Sequence, residues 1–85
     1  MRIVTEGGLA VYVYPEGGAR HKLPHCHVRW AESDTVIALP SLRRLVGPPL
    51  PKLGGDMLRK NLDLIWDQWL ALNGQDEKEL PKEDE

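Results

Sequence analysis

His25-Cys26-His27-Val28-Arg29-Trp30, Ala31-Glu32-Ser33-Asp34 and Thr35-Val36-Ile37-Ala38-Leu39 follow one another without interruption, and their reading decides the fold. Side chains alternate across a strand, so the first six residues place Cys26, Val28 and Trp30 on one face and His25, His27 and Arg29 on the other. The apolar set packs inward and the histidines look out. Ala31 to Asp34 reads as a hairpin connection, and Thr35 to Leu39 as the returning strand, closed by Pro40-Ser41.

Working outward, Leu9 to Tyr14 is β-branched and aromatic, bounded by Gly7-Gly8 and Pro15, and too short for a helix. Its period of two sets Leu9, Val11 and Val13 against Ala10, Tyr12 and Tyr14. Residues 2 to 5 begin another short strand that Glu6-Gly7-Gly8 interrupts, and residues 15 to 24 form a loop rich in Pro and Gly. Downstream, Leu42 to Val46 adds a short strand before Gly47-Pro48-Pro49, where the prolines have no N–H for a ladder. Between residues 47 and 55 a half-turn or short helix competes with the breaking effect of Gly54-Gly55. From Asp56, the expected N-cap, Leu58, Leu62, Ile65, Trp66, Trp69 and Leu72 recur at helical spacing until Asn73-Gly74. The opposite stripe is Lys60, Asp63, Asp67 and Gln68. The Trp66/Trp69 pair is expected to pack as core against the sheet.

A chain of 85 residues makes one domain, with 41% hydrophobic and 28% charged residues typical of a folded one. A domain this small buries about 60 to 65% of its unfolded surface, so the core is thin. Net charge is −2, which argues against a chain built mainly to neutralise a nucleic-acid backbone. The charge is unevenly spread. Residues 75–85 hold six acids and two lysines; residues 1–74 hold nine bases and seven acids, a net of +2. Residues 1–74 therefore read as a single domain and 75–85 as an acidic, disordered tail. The lone Cys26 has no disulfide partner in the chain, no signal-like segment opens it, and no apolar run approaches the ~20 residues of a membrane span. A cytoplasmic protein with no membrane association is expected.

All three histidines fall within residues 21 to 27. Imidazole titrates nearest neutrality and is the commonest nitrogen ligand of transition metals. His25 and His27, two apart on a strand, project to one side with about 6.5 to 7 Å between Cα atoms. Two reactions suit them. With His21 brought over by a bend at Pro24, His21, His25 and His27 make a three-histidine set for a divalent transition metal with an open position. Without a metal, His25 and His27 serve as general acid and base in RNA cleavage, Arg29 stabilises the charged transition state, and Tyr12 and Tyr14 stack on unpaired bases. Arg29 is also placed to pair with Glu32 or Asp34 across the turn. Cys26 faces inward and is expected to be a small buried apolar residue.

His21-Lys22-Leu23-Pro24-His25-Cys26-His27-Val28 resembles the histidine-x-x-proline-histidine-x-histidine-valine signature of a small bacterial family, domain of unknown function 4160. The likeness extends to the strand at Ala10 to Tyr14, the strand at Thr35 to Leu39, the Gly47 to Pro51 step and the Trp69 to Gly74 helix end. Leu23 stands where the family usually has proline, Cys26 where it has phenylalanine, and the span from Pro51 to Trp69 is shorter than usual. The resemblance implies a partner: a second small protein, of domain of unknown function 2442, in a toxin–antitoxin-like pair. It implies no particular reaction.

The expected fold is thus α+β, a small antiparallel sheet of three to four strands with one long C-terminal amphipathic helix packed on one face. The expected function is the effector or partner half of a toxin–antitoxin-like module with RNA or nucleotide chemistry at the histidines. Its alternatives are a non-enzymatic interaction module, including a homodimer, and a small metal-binding protein.

Overall fold

The computed structural model describes residues 1–15 and 23–73. Five strands, β1 (Arg2–Glu6), β2 (Leu9–Tyr12), β3 (His25–Trp30), β4 (Ser33–Ala38) and β5 (Arg44–Val46), are followed by helices α1 (Lys52–Lys60) and α2 (Leu62–Asn73). The strands form one antiparallel sheet in sequence order. The α+β class stands as expected, with one strand more than the three to four anticipated and the helix divided in two.

Each departure has a local cause. Gly7 and Gly8 have φ of +56° and +84°, the paired left-handed conformation of a tight hairpin, so they join β1 to β2. Ala31 and Glu32 alone turn the chain between β3 and β4, with Ala31 at φ +50°. Ser33 and Asp34, expected in the connection, instead pair as strand residues with Trp30 and Arg29. β5 starts at Arg44, because Leu42, at φ +65°, bonds back to the Ala38 carbonyl in the turn.

Beyond β5 the chain passes hard against β4. Gly47, at φ +102°, leaves no room for a side chain: a Cβ there would lie 2.5 Å from the Asp34 carbonyl oxygen and 2.8 Å from the Thr35 Cα. Thr35, a fully buried polar residue, donates its hydroxyl to the Pro48 carbonyl at 2.7 Å, satisfying both groups and pinning this crossing.

Asp56 is not the N-cap. Helix α1 starts at Lys52, with Pro51 at the cap position, and runs through Gly54-Gly55. Gly54 is buried, and a Cβ on it would sit 3.1 Å from Leu9 Cδ2, so close packing on β2 favours the glycine that intrinsic helix propensity disfavours. Asp56 instead pairs along the helix with Arg59 at 2.5 Å and Lys52 at 3.8 Å. The break between the helices falls at Asn61, whose side-chain amide donates to the Met57 carbonyl at 2.9 Å while its φ of −110° departs from the helix.

The core lies between one sheet face and the helices. Leu9, Val11, Val13, Cys26, Val28, Ile37 and Leu39 meet Met57, Leu58, Ile65 and Trp69. Trp66 is half-buried and stacks on Trp69 with ring centroids 6.1 Å apart and planes within 9°. The tryptophan pair is core, as its spacing predicts. Among the described residues, no helix is long and apolar enough to cross a membrane.

Candidate functional site

Because both helices pack on the Leu9/Val11/Val28/Ile37 side, the other sheet face has no layer over it among the described residues. Strand register sets what stands there. One row runs Arg2, Tyr12, His27, Val36, Val46 across all five strands, each residue paired with the next. A second runs Thr5, Ala10, Arg29, Asp34, and His25 sits opposite Ala38. Four of the five anticipated catalytic and substrate-binding residues lie on β2 and β3; Tyr14 lies just past the end of β2.

Their side chains touch in a chain of rings. Tyr12 and Tyr14 stack at 6.1 Å between centroids and 9° between planes. Tyr14 meets His27 edge-on at 5.1 Å, and His27 meets His25 edge-on at 5.3 Å. The Arg29 guanidinium carbon lies 5.3 Å from the centroid of the Tyr12 ring, a cation–π distance. His25, His27, Arg29, Tyr12 and Tyr14 thus form one contiguous surface.

Asp34 completes it. Its Oδ1 lies 3.7 Å from His27 Nδ1 and its Oδ2 3.6 Å from Arg29 Nε, so one carboxylate faces both groups. Asp34 was anticipated only as a pairing option for Arg29, not as a neighbour of His27. The missing signal was turn length: a two-residue turn at Ala31-Glu32 fixes Trp30 opposite Ser33, hence Arg29 opposite Asp34 and His27 opposite Val36. With side-chain exposures of 23% at His27, 48% at Asp34 and 53% at Arg29, a ligand reaches all three.

His25 Nδ1 lies 2.8 Å from the Leu23 carbonyl oxygen, which accepts when Nδ1 carries the proton. His27 Nδ1 lies 3.7 Å from the Asp34 carboxylate, within ion-pair reach but beyond a hydrogen bond. Among the described residues the donor groups on this surface are the His25 and His27 imidazoles and the Asp34 carboxylate beside His27. Among the described residues no group of three or more His, Cys, Asp or Glu side chains is arranged to hold an ion, and His21, the third ligand anticipated from sequence, lies outside them. A hollow of about 350 Å³ is lined by Leu23, Pro24, Ala38, Leu39, Ser41 and Arg43; Ala38 is the strand partner of His25.

Cys26 takes no part. It is fully buried between the histidines in sequence, and burial pushes its thiol from an ordinary 9.0 up to about 12. The sign follows from linkage: the folded state holds the thiol proton more tightly. This contribution is therefore intact below pH 9.0 and is lost as pH rises from 9.0 toward about 12. The alkaline limb falls by roughly 1.4 kcal/mol per pH unit from this group. Denaturant titrations from pH 8 to 11 should show this extra slope in the native chain and lose it in Cys26→Ala; equal slopes would refute the assignment.

Among the described residues, site and fold together define a class: a small α+β meander whose helical layer lies on one sheet face and leaves the aromatic and histidine-bearing face without a layer over it. Compared with family models, curated proteins and solved structures, the chain matches none.

Proposed function

We propose that the protein binds single-stranded RNA across the uncovered sheet face and cleaves it there by acid–base chemistry. The observation that carries this reading is the joining of Tyr12, Tyr14, His27 and His25 into one continuous ring surface, with Arg29 against Tyr12. Aromatic side chains on adjacent strands of an open sheet are a stacking platform for unpaired bases, and stacking tolerates any base. A phosphate beside the stacked bases meets two imidazoles and a guanidinium.

His27 is the base in this mechanism. With Nδ1–H toward Asp34, its Nε2 takes the proton of a ribose 2′-hydroxyl, and the carboxylate balances the imidazolium that forms. The 2′-oxygen bonds to phosphorus, the bond from phosphorus to the 5′-oxygen breaks, and protonated His25 gives that oxygen its proton. A 2′,3′-cyclic phosphate and a 5′-hydroxyl result. Arg29 stabilises the extra negative charge on the phosphoryl oxygens. The hollow at Leu23, Pro24 and Ala38, with Arg43 on its wall, receives the neighbouring nucleotide. By its resemblance to domain of unknown function 4160, the protein would act in the cytoplasm as the effector half of a toxin–antitoxin-like pair, restrained by a protein of the domain of unknown function 2442 type.

The test is chemical. Purified chain mixed with a short single-stranded RNA should yield fragments ending in cyclic phosphate, and a substrate with one 2′-deoxynucleotide should resist cleavage at that position only. Cleavage of the all-deoxy strand, or of neither, defeats the mechanism.

A second reading is favoured by the far side of the same face. Val46 is 64% exposed and continues the row through half-buried Val36, so this half is apolar and fits a protein partner or a second copy. Light scattering at rising concentration distinguishes a self-associating module from a monomer.

A further inference from the structure

We infer that Pro48-Pro49-Leu50-Pro51, flanked by Arg44 and Lys52, is a docking segment for a protein partner whose groove is lined by aromatic rings and rimmed by carboxylates. The four residues lie off the ring surface and off the Val36–Val46 row, so their docking is independent of both readings above.

Proline spacing dictates the backbone here. The rings of Pro48, Pro49 and Pro51 lock φ near about −65°, and Pro48 and Leu50, each preceding a proline, are held extended. Pro51 stands at φ −62° and ψ 160°, the polyproline II conformation. That helix has three residues per turn, so its side chains form three ridges. Burial follows the same period. Pro48, Pro49 and Pro51 are exposed, whereas Leu50 is half-buried against the core, its Cβ 3.4 Å from where a Cβ on Gly54 would lie. One ridge therefore packs on the protein, and the two that carry prolines face outward.

The segment is also held in place before any partner arrives. Thr35 donates its hydroxyl to the Pro48 carbonyl at 2.7 Å, and the Pro51 carbonyl accepts from Gly54 N–H at 2.9 Å and Gly55 N–H at 3.3 Å as α1 begins. Little conformational entropy is left to lose on binding. Exposed polyproline II segments with prolines at i and i+3, as at Pro48 and Pro51, are recognised by aromatic-lined grooves.

Charge selects among such grooves. Residues 43–52 hold Arg43, Arg44 and Lys52 and no acid. Arg44 is exposed and donates to the Gly47 carbonyl at 3.3 Å, and the Lys52 side chain is 88% exposed with Asp56 at 3.8 Å. A cation at each end of the prolines fits a rim of carboxylates. The protein's own ring surface is a poor receiver, because Arg2 and Arg29 flank Tyr12 there and Asp34 already faces Arg29 and His27. The occupant is thus a different protein, not a second copy.

The experiment titrates the isotope-labelled full chain with two probes, an SH3 domain and a WW domain, each chosen for an acidic rim beside its aromatic groove. The amide signals of Val46, Gly47, Leu50 and Lys52 should shift with at least one probe, while those of Tyr12, Tyr14 and His27 stay in place. Pro49→Ala should weaken that binding at least about tenfold. Arg44→Gln combined with Lys52→Gln should weaken it about fivefold at low salt and converge with the native chain near about 0.5 M salt. Circular dichroism confirms that each variant is folded; if Pro49→Ala is not, the charge variant alone decides. No shift with either probe overturns the inference, and so does affinity unchanged in the folded variants. Shifts that grow with the concentration of the chain alone, joining this segment to Tyr12 and Tyr14, also overturn it, because the occupant would then be a second copy.

Discussion

If the proposed RNA cleavage takes place on this face, His27→Ala is expected to lower its rate by at least about a hundredfold, the usual contribution of a positioned proton-transfer group, while leaving the fold intact. The fold survives because His27 projects from the uncovered face and supports no part of the core. His25→Ala has an effect of the same order. Asp34→Asn is the more informative change: it preserves shape, removes the charge facing both His27 and Arg29, and lowers the rate by about tenfold. The effect stays well below that of a buried triad aspartate because Asp34 is half exposed and 3.7 Å from the ring. Rates measured on one single-stranded substrate, with circular dichroism of each variant, check this. Should the His25 and His27 single variants both cleave at the native rate, the acid–base assignment is wrong.

The largest stability effect is expected at Ile65→Ala. Ile65 is wholly buried in α2 and shares the core cluster with Val11, Val28 and Ile37 of the sheet. Truncating a buried isoleucine costs about 2 to 5 kcal/mol in lost transfer energy and cavity formation. Total stability for a chain of this length is of the order of 4 to 13 kcal/mol, so the variant sits near the edge of folding. Urea denaturation read by tryptophan fluorescence should show the midpoint falling by roughly 15% or more, the ratio of these two ranges at its smallest. A loss below about 1 kcal/mol would mean that α2 contributes little to the core.

These two residues illustrate how differently sequence speaks about fold and site. Strand alternation from His25 to Trp30 and from Leu9 to Tyr14 settled which side chains face the core, because a period of two leaves no freedom once one face is apolar. The burial of Cys26 and Val28, and the outward position of His25, His27 and Arg29, follow from that alone. The helical stripe through Leu58, Ile65 and Trp69 was legible for the same reason at a period of 3.6.

What sequence could not supply was everything that depends on contacts between distant elements. Gly54-Gly55 reads as a helix breaker, yet Gly54 lies inside α1 because Leu9 and Leu50 pack where its side chain would be. Asp34 reads as part of a turn, yet a two-residue hairpin and the close crossing of Gly47 hold it in β4, facing His27 and Arg29. By itself the sequence determined the two faces of the sheet and the clustering of histidines, since both are consequences of local spacing. Only the tertiary structure decided that the helices cover one face and that α2 ends at Tyr14, whose carbonyl accepts the Asn73 side-chain amide. Those outcomes depend on which surfaces pack, and packing is a property of the whole chain.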